Sequence, residues 1–179
     1  MIPALETPQL LLQPLTLADE GELQRVFPQW EIVRWLDGNV PWPYPDDGAR
    51  NFLEQVVLPQ MLAGTSWHWG IRRRADPDRL IGEITLQDVA DRNRGFWIDP
   101  AWHGLGFASE AADAVTRFWF EVLERPLLRV PKAADNEASR RISLRQGMRV
   151  IDRFVGNLVS GPCQFELWEL TREEWLART

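Results

Sequence analysis

The stretch Trp97-Ile98-Asp99-Pro100-Ala101-Trp102-His103-Gly104-Leu105-Gly106-Phe107-Ala108-Ser109-Glu110 decides the fold. It reads as a strand that Asp99-Pro100 stops, then a tight turn, then a helix opening near Gly106. Gly104, Gly106 and Ala108 let the backbone approach a ligand without a Cβ clash. The N–H groups of the turn and of the first helical residues have no internal partner, and the helix dipole adds positive potential there. Such a turn suits a pyrophosphate. Glycines serving only to tighten a strand-to-helix turn account for the same residues. A dinucleotide fingerprint fits worse, because Gly-x-Gly-x-x-Gly needs glycine where Ser109 stands and hairpins precede the turn.

Outward from this stretch the pattern is regular. The helix carries Ala108, Ala111, Ala112, Val115, Phe118, Trp119 and Val122 on one stripe. A strand at Leu127–Val130 precedes a helix from Asn136 to Gln146 that Gly147 ends. Closing strands follow at Met148–Phe154 and Gln164–Leu170, and Thr171 with Glu174 caps a last helix. Upstream, Gly95–Ile98, Leu80–Leu86 and Trp67–Ile71 read as strands, with a charged turn centred on Asp76-Pro77-Asp78. A first strand at Leu10–Pro14 leads to a helix capped by Thr16 and to a short one near Glu31–Leu36. Three prolines and two glycines make Asp37–Gly48 a loop. The next helix presents Ala49, Phe52, Leu53 and Val56 and is kinked or restarted at Pro59. This order predicts one α/β (α+β) domain over residues 1–179, a mixed, mostly antiparallel twisted sheet of six to seven strands with helices on both faces.

Composition bounds the function. At 179 residues the chain suffices for one ordinary domain with a sizeable core. Hydrophobic residues at 45% and charged residues at 26% exclude disorder. A net charge of −6 gives no basic footprint for nucleic acid or an anionic membrane. The single cysteine, Cys163, excludes a disulfide framework and a multi-cysteine zinc site, and it has no histidine nearby in sequence to make it a nucleophile. Met1–Glu6 lacks the start of a signal peptide and nothing is long and apolar enough to span a bilayer, so the expected location is the cytoplasm. Ten tryptophans stand against one tyrosine, Tyr44, which composition does not explain.

The central stretch resembles the GNAT N-acetyltransferases, in their RimJ/RimL-like branch. The acetyl-CoA motif Gln/Arg-x-x-Gly-x-Gly/Ala is matched by His103–Ala108, with His103 at the Gln/Arg position. The branch's flanking signatures are echoed by Gly95-Phe96-Trp97-Ile98-Asp99-Pro100 and by Gly106-Phe107-Ala108-Ser109-Glu110-Ala111. A second signature, Asn-x-x-Ser with a later basic residue and Gly-Phe, is echoed by Asn136-Glu137-Ala138-Ser139 and Arg145-Gln146-Gly147-Met148. The branch's opening is nearly verbatim in Leu5–Leu15. The match runs from Leu5 to Met148 in family order and is poorest over residues 28–80.

The resemblance implies the GNAT fold and direct acetyl transfer from acetyl-CoA, with no metal. Pantetheine would pair with backbone at Trp97 and Ile98, and pyrophosphate would sit on the turn from His103 through Gly104, Leu105, Gly106 and Phe107 to Ala108. Asn136 and Arg145 would complete the cofactor contacts, and Ser139 would protonate the departing thiolate. Helix-start hydrogen bonding is the competing reading of Ser139. For the base that an ammonium acceptor requires, Glu83 in mid-strand is the first candidate, against a solvated carboxylate on an exposed face. The branch often uses a later glutamate, but Arg153–Leu158 contains none. Trp35, Trp42 and Tyr44 are expected to wall the acceptor site, because Trp30, Trp35, Trp42, Trp67 and Trp69 crowd one segment. The acceptor is an amine, either a protein or peptide N-terminus or a small molecule, and the chain is expected to be a monomer or homodimer. The missing glutamate motivates an alternative, a non-catalytic acyl-CoA sensor or partner module on the same fold. A cofactor-free aromatic peptide-binding module is a third reading.

Overall fold

A computed structural model describes residues 2–178. Strands β1 (Leu5–Glu6), β2 (Leu10–Pro14), β3 (Ser66–Arg73), β4 (Asp76–Gln87) and β5 (Arg94–Ile98) form one antiparallel sheet in that order. Strands β6 (Leu127–Ala133), β7 (Arg149–Leu158) and β8 (Gly161–Thr171) form a second, ordered β6-β8-β7. All of these pairings are antiparallel. The two sheets share one core, and their backbones are joined at the foot of β5 and β6. There the Asn93 N–H donates to the Arg129 carbonyl at 2.8 Å, and the Arg129 N–H donates to Asn93 Oδ1 at 2.8 Å. Beyond that point the strands part, and Pro131, which has no N–H to give, lies in β6 at that level.

Helices cover both faces. Helix α1 (Glu20–Val26), the single turn α2 (Trp30–Val33), α3 (Gly48–Phe52) and α4 (Leu58–Ala63) come before the β3–β4 hairpin. Helix α5 (Phe107–Arg117) follows β5, α6 (Glu137–Arg145) follows β6, and α7 (Arg172–Leu176) ends the described chain. Because neighbouring strand residues point to opposite faces, Ile81 and Ile98 join the α5 core, with Trp69, Val115 and Trp119. Leu80 and Trp97 join the opposite core, with Leu23, Leu53 and Val57.

Where one mixed sheet of six to seven strands was expected, two wholly antiparallel sheets hold eight strands, the addition being β1, whose two residues are too short to carry an alternation signal. The hairpin turn is tighter than expected, since β4 already begins at Asp76. Two helices contain a wide i→i+5 turn. One, Leu53–Val57, lies just before Pro59, which sits in the first turn of α4, where its missing N–H costs least. The other, Phe118–Val122, continues α5 and alters the predicted stripe: Phe120 is buried and Val122 is 64% exposed. Helix ends agree with the sequence. Asn136 Oδ1 caps α6 by accepting from the Ser139 N–H, Gly147 follows α6 at φ +77, and Thr171 and Glu174 cap α7 reciprocally.

Candidate active site

The parting of β5 and β6 opens a cleft of about 740 Å³. Its first wall is β5. The Asp99 N–H donates to the Ile81 carbonyl on the β4 side at 2.8 Å. By the alternation of an antiparallel ladder, the N–H groups of Phe96 and Ile98 point the other way, toward the cleft. Trp97 and Ile98 therefore line it as expected from sequence.

Its second wall is the turn into α5. Gly104 and Gly106 have φ of +76 and +83, the left-handed region that L side chains avoid, and the space above each is open. His103, Gly104, Gly106, Phe107 and Ala108 all face the cleft, whereas Leu105 points out and is 54% exposed. The His103 ring turns back on its own turn, where Nε2–H donates to the Ile98 carbonyl at 2.8 Å. That bond fixes the tautomer and leaves Nδ1 as an acceptor, so the neutral ring has no second N–H for a phosphate. The first N–H groups of α5 remain as free donors at the helix's positive end.

The third wall comes from β6 and α6. Asn136, Ser139 and Arg145 line it. Sequence reasoning missed Lys132 and Arg94 on the floor. Lys132 Nζ donates to Ser139 Oγ at 2.6 Å and lies 5.5 Å from the Phe96 ring centre. Arg94 Nη1 donates to Gln146 Oε1 at 2.8 Å and to Thr116 Oγ1. Burial pulls the Arg94 guanidinium down to about 10, against the opposing pull of Asp113. Burial, reinforced by the Arg94 charge, pushes the Lys132 ammonium well below the usual lysine range. Among the described residues neither of these buried basic groups touches a carboxylate, so the floor carries no counter-charge of its own.

The remaining sequence candidates lie elsewhere. Glu83 is buried on the α1–α3 side of β4, directly across from Trp97. Its carboxylate accepts from Trp97 Nε1 at 3.1 Å and from His68 Nδ1 at 2.8 Å. It is thus one indole away from the cleft rather than in its lining. Tyr44 packs against Phe27 at 4.8 Å, and Phe27 against Trp97 at 5.4 Å. Its ring covers Gly48, where a Cβ would lie 2.5 Å from it. Burial, with the charges of Glu83 and Asp47, pushes the phenol up to about 12. Trp35 lines the cleft near Glu31. Trp42 instead lines a separate hollow of about 530 Å³ with Trp30, Val40 and Leu158. The expected aromatic wall is therefore divided among the cleft, an outer hollow and a half-buried tyrosine. Trp67 and Trp69 are core residues.

Residues 9–149 match the family model described as an acetyltransferase (GNAT) domain. The chain belongs to the GNAT acetyltransferase family. A relative in Bacillus subtilis (strain 168), the uncharacterized N-acetyltransferase YoaA, is 29% identical over 83% of this chain and 84% of its own. Mycobacterium smegmatis RimJ, solved with a CoA-disulfide, superposes with a TM-score of 0.82 at 16% identity, covering 97% of this chain and 88% of its own. The ribosomal-protein-S5-alanine acetyltransferase of Vibrio fischeri also superposes with a TM-score of 0.82, at 12% identity over 97% and 98% of the two chains. The fold is thus that of the RimJ/RimL-like branch, and the protein is an acetyltransferase. The cleft fits the acetyl-CoA that GNAT enzymes use. It offers unpaired strand N–H groups for amides, free helix N–H groups for a pyrophosphate, and Arg145 at the rim. Among the described residues no group of three or more side chains is arranged to hold a metal ion, and no helix is long and apolar enough to cross a membrane.

Proposed function

We propose that this acetyltransferase moves the acetyl group of acetyl-CoA directly to an amine, an α-amino group of a peptide or protein in the first instance. One observation carries the reading. The Gly104–Ala108 turn and the Asn136–Ser139 helix start face each other across two unpaired strand edges, which brings free N–H groups and a hydroxyl into one cleft. In this reading the turn N–H groups and Arg145 hold the nucleotide end, and Asn136 supports it. The Ile98 N–H polarises the thioester carbonyl, a donor placed where charge develops. Ser139 Oγ–H gives its proton to the sulfur as the C–S bond breaks.

The acceptor approaches from the α1–α3 side. Glu83 takes its proton by way of His68, whose Nδ1–H it accepts, while the Trp97 indole, a donor only, orients the carboxylate. Trp35 shapes the inner end of the acceptor path, Trp42 with Trp30 the outer hollow, and Tyr44 the wall between them. The fold neighbour from Vibrio fischeri, named for a ribosomal-protein alanine, supports a peptide N-terminus over a small amine. Thiol release from acetyl-CoA, measured across peptides with free N-termini and a panel of small amines, tests the proposal. Turnover on at least one amine is expected. Tight CoA binding without turnover on any of them would instead favour a sensor.

A further inference from the structure

Lys132 is a buried cleft residue whose chemistry the reading above does not use. It is 6% exposed, sits on β6 four residues before the α6 cap, and reaches Ser139 Oγ at 2.6 Å. An ammonium only donates, so Ser139 Oγ is the acceptor in this bond. The serine's own O–H hydrogen must then point elsewhere. Among the described residues Oγ makes this bond alone, which leaves that hydrogen for a group in the cleft.

The charges around Lys132 come from every element packed on it. Arg94 faces it from β5, and the Arg94 counter-charge, Asp113 of α5, is held off behind Gln146, which donates to it at 2.8 Å. Glu166 stands directly across on β8, but its carboxylate is taken by Arg140 of α6 at 2.8 Å and Arg153 of β7 at 3.4 Å. Asp135 and Arg145 line the cleft farther out. No carboxylate touches Lys132, so an anion in the cleft would be its first counter-charge. The anion that acetyl transfer creates beside Ser139 is the departing thiolate.

We propose that Lys132 is a positioning residue that supplies, through Ser139, the proton taken by the leaving thiolate. The inference rests on the assignment of Ser139 as thiolate donor. The proton balance is closed. As the carbonyl carbon–sulfur bond breaks, the Ser139 hydroxyl proton goes to sulfur and a Lys132 ammonium proton goes to Ser139 Oγ. Lys132 is left as a neutral amine. The proton lost by the acceptor nitrogen goes to the base on the other side of the sheet and out to solvent, and solvent restores the ammonium after CoA departs. A lysine whose affinity for its proton is weakened by burial is suited to give that proton to a thiolate.

The test uses the full chain with acetyl-CoA and a peptide bearing a free alanine N-terminus. Lys132→Met and Lys132→Gln are each expected to lower kcat at least ~10-fold, within the span of one proton-transfer group, with the KM for acetyl-CoA changed less than about threefold. Combining Lys132→Met with Ser139→Ala is expected to be no slower than Ser139→Ala alone, because the two act as one unit. The wild-type kcat falls as pH rises and Lys132 loses its proton, and this alkaline limb is absent in both variants. A second readout needs no turnover. The thiol of bound CoA, followed by thiolate ultraviolet absorbance, ionises at a pH lower by ~1 unit in the wild type than in Lys132→Met, since a nearby ammonium favours the anion. Wild-type kcat in Lys132→Met beside a slow Ser139→Ala would overturn the proposal alone. So would restoration by Lys132→Gln, which marks a structural hydrogen bond, or an unshifted thiol. An unimpaired Ser139→Ala would instead overturn the assignment of Ser139 and the proposal with it.

Discussion

The α1–α3 side of the central sheet and the floor of the cleft bury charge in opposite ways. On the α1–α3 side the buried carboxylates named here are met by donors. Asp19, just before α1, pairs with Arg72 of β3, and Glu83 accepts from His68 and Trp97. On the cleft floor Arg94 and Lys132 are equally buried, yet they contact only neutral oxygens of Thr116, Gln146 and Ser139. A buried charge is costly unless it is paired, so an unpaired one persists where a ligand completes it. The compensated side holds the fold, and in the reading proposed above the uncompensated floor meets a negative charge that comes and goes with the reaction.

The sharpest way to break this contrast is at Asp19. Its carboxylate also accepts from the Thr16 N–H at 2.8 Å and from the Thr16 hydroxyl at 3.1 Å, so it fixes the tight turn Leu17–Asp19 that leads into α1 as well as Arg72. Asp19→Ala strands a buried guanidinium and is expected to cost about 3–5 kcal/mol, read as a fall in the urea midpoint. A loss under ~1 kcal/mol would mean that Arg72 finds water, and that this side is less dry than its packing shows.

A second test separates binding from proton chemistry on the same side. Glu83→Gln keeps a carbonyl oxygen to accept one of the two bonds but removes the base. At neutral pH the rate is expected to drop by ~10²-fold. The sign of the pH dependence follows from the acceptor. Below its own pKa, about 8 for an α-amino group and about 10 for a lysine-type amine, the acceptor arrives as an ammonium and needs a base. Above it the acceptor arrives neutral, so the deficit shrinks as pH rises. A deficit that stays constant across pH would mean that Glu83 only orients His68 and Trp97.

How far the sequence revealed this contrast depends on the reach of each signal. Gly104 and Gly106 announce their turn because φ is set locally, and Asn136 with Ser139, like Thr171 with Glu174, announces a helix start within four residues. Strand alternation sets Trp97 and Ile98 in different cores, which the folded structure alone defines. The floor was hidden because Arg94, Lys132 and Ser139 come from three elements whose approach only the folded sheets define. Lys132 also lies past Val130, where the strand was expected to stop, although β6 runs to Ala133. The acceptor side was legible as a concentration of tryptophan but not as an arrangement. Nothing local tells that Tyr44 lands on Gly48 and Phe27 while Trp42 turns to Trp30. Val122 was misplaced for a similar reason, since the wide turn that rotates Phe120 inward is a response to packing rather than to a residue pattern.

The smallest expected effect tests the other half of the comparison. If the floor is uncompensated in the absence of ligand, removing its charge should relieve the fold rather than harm it. Lys132→Met replaces the amine with a flexible apolar chain of similar length that can lie against the Phe96 ring and leave Ser139 Oγ free for water or ligand. The variant is expected to be more stable than the wild type by about 0.5–2 kcal/mol in the urea midpoint at neutral pH, while its turnover falls. Stability gained as activity is lost is the mark of a group held in place for a reaction. A destabilised Lys132→Met would mean that the Ser139 bond and the lysine stem contribute more to packing than burial of the amine costs. The two sides of the molecule would then differ only in the sign of their charge, not in how they are stabilised.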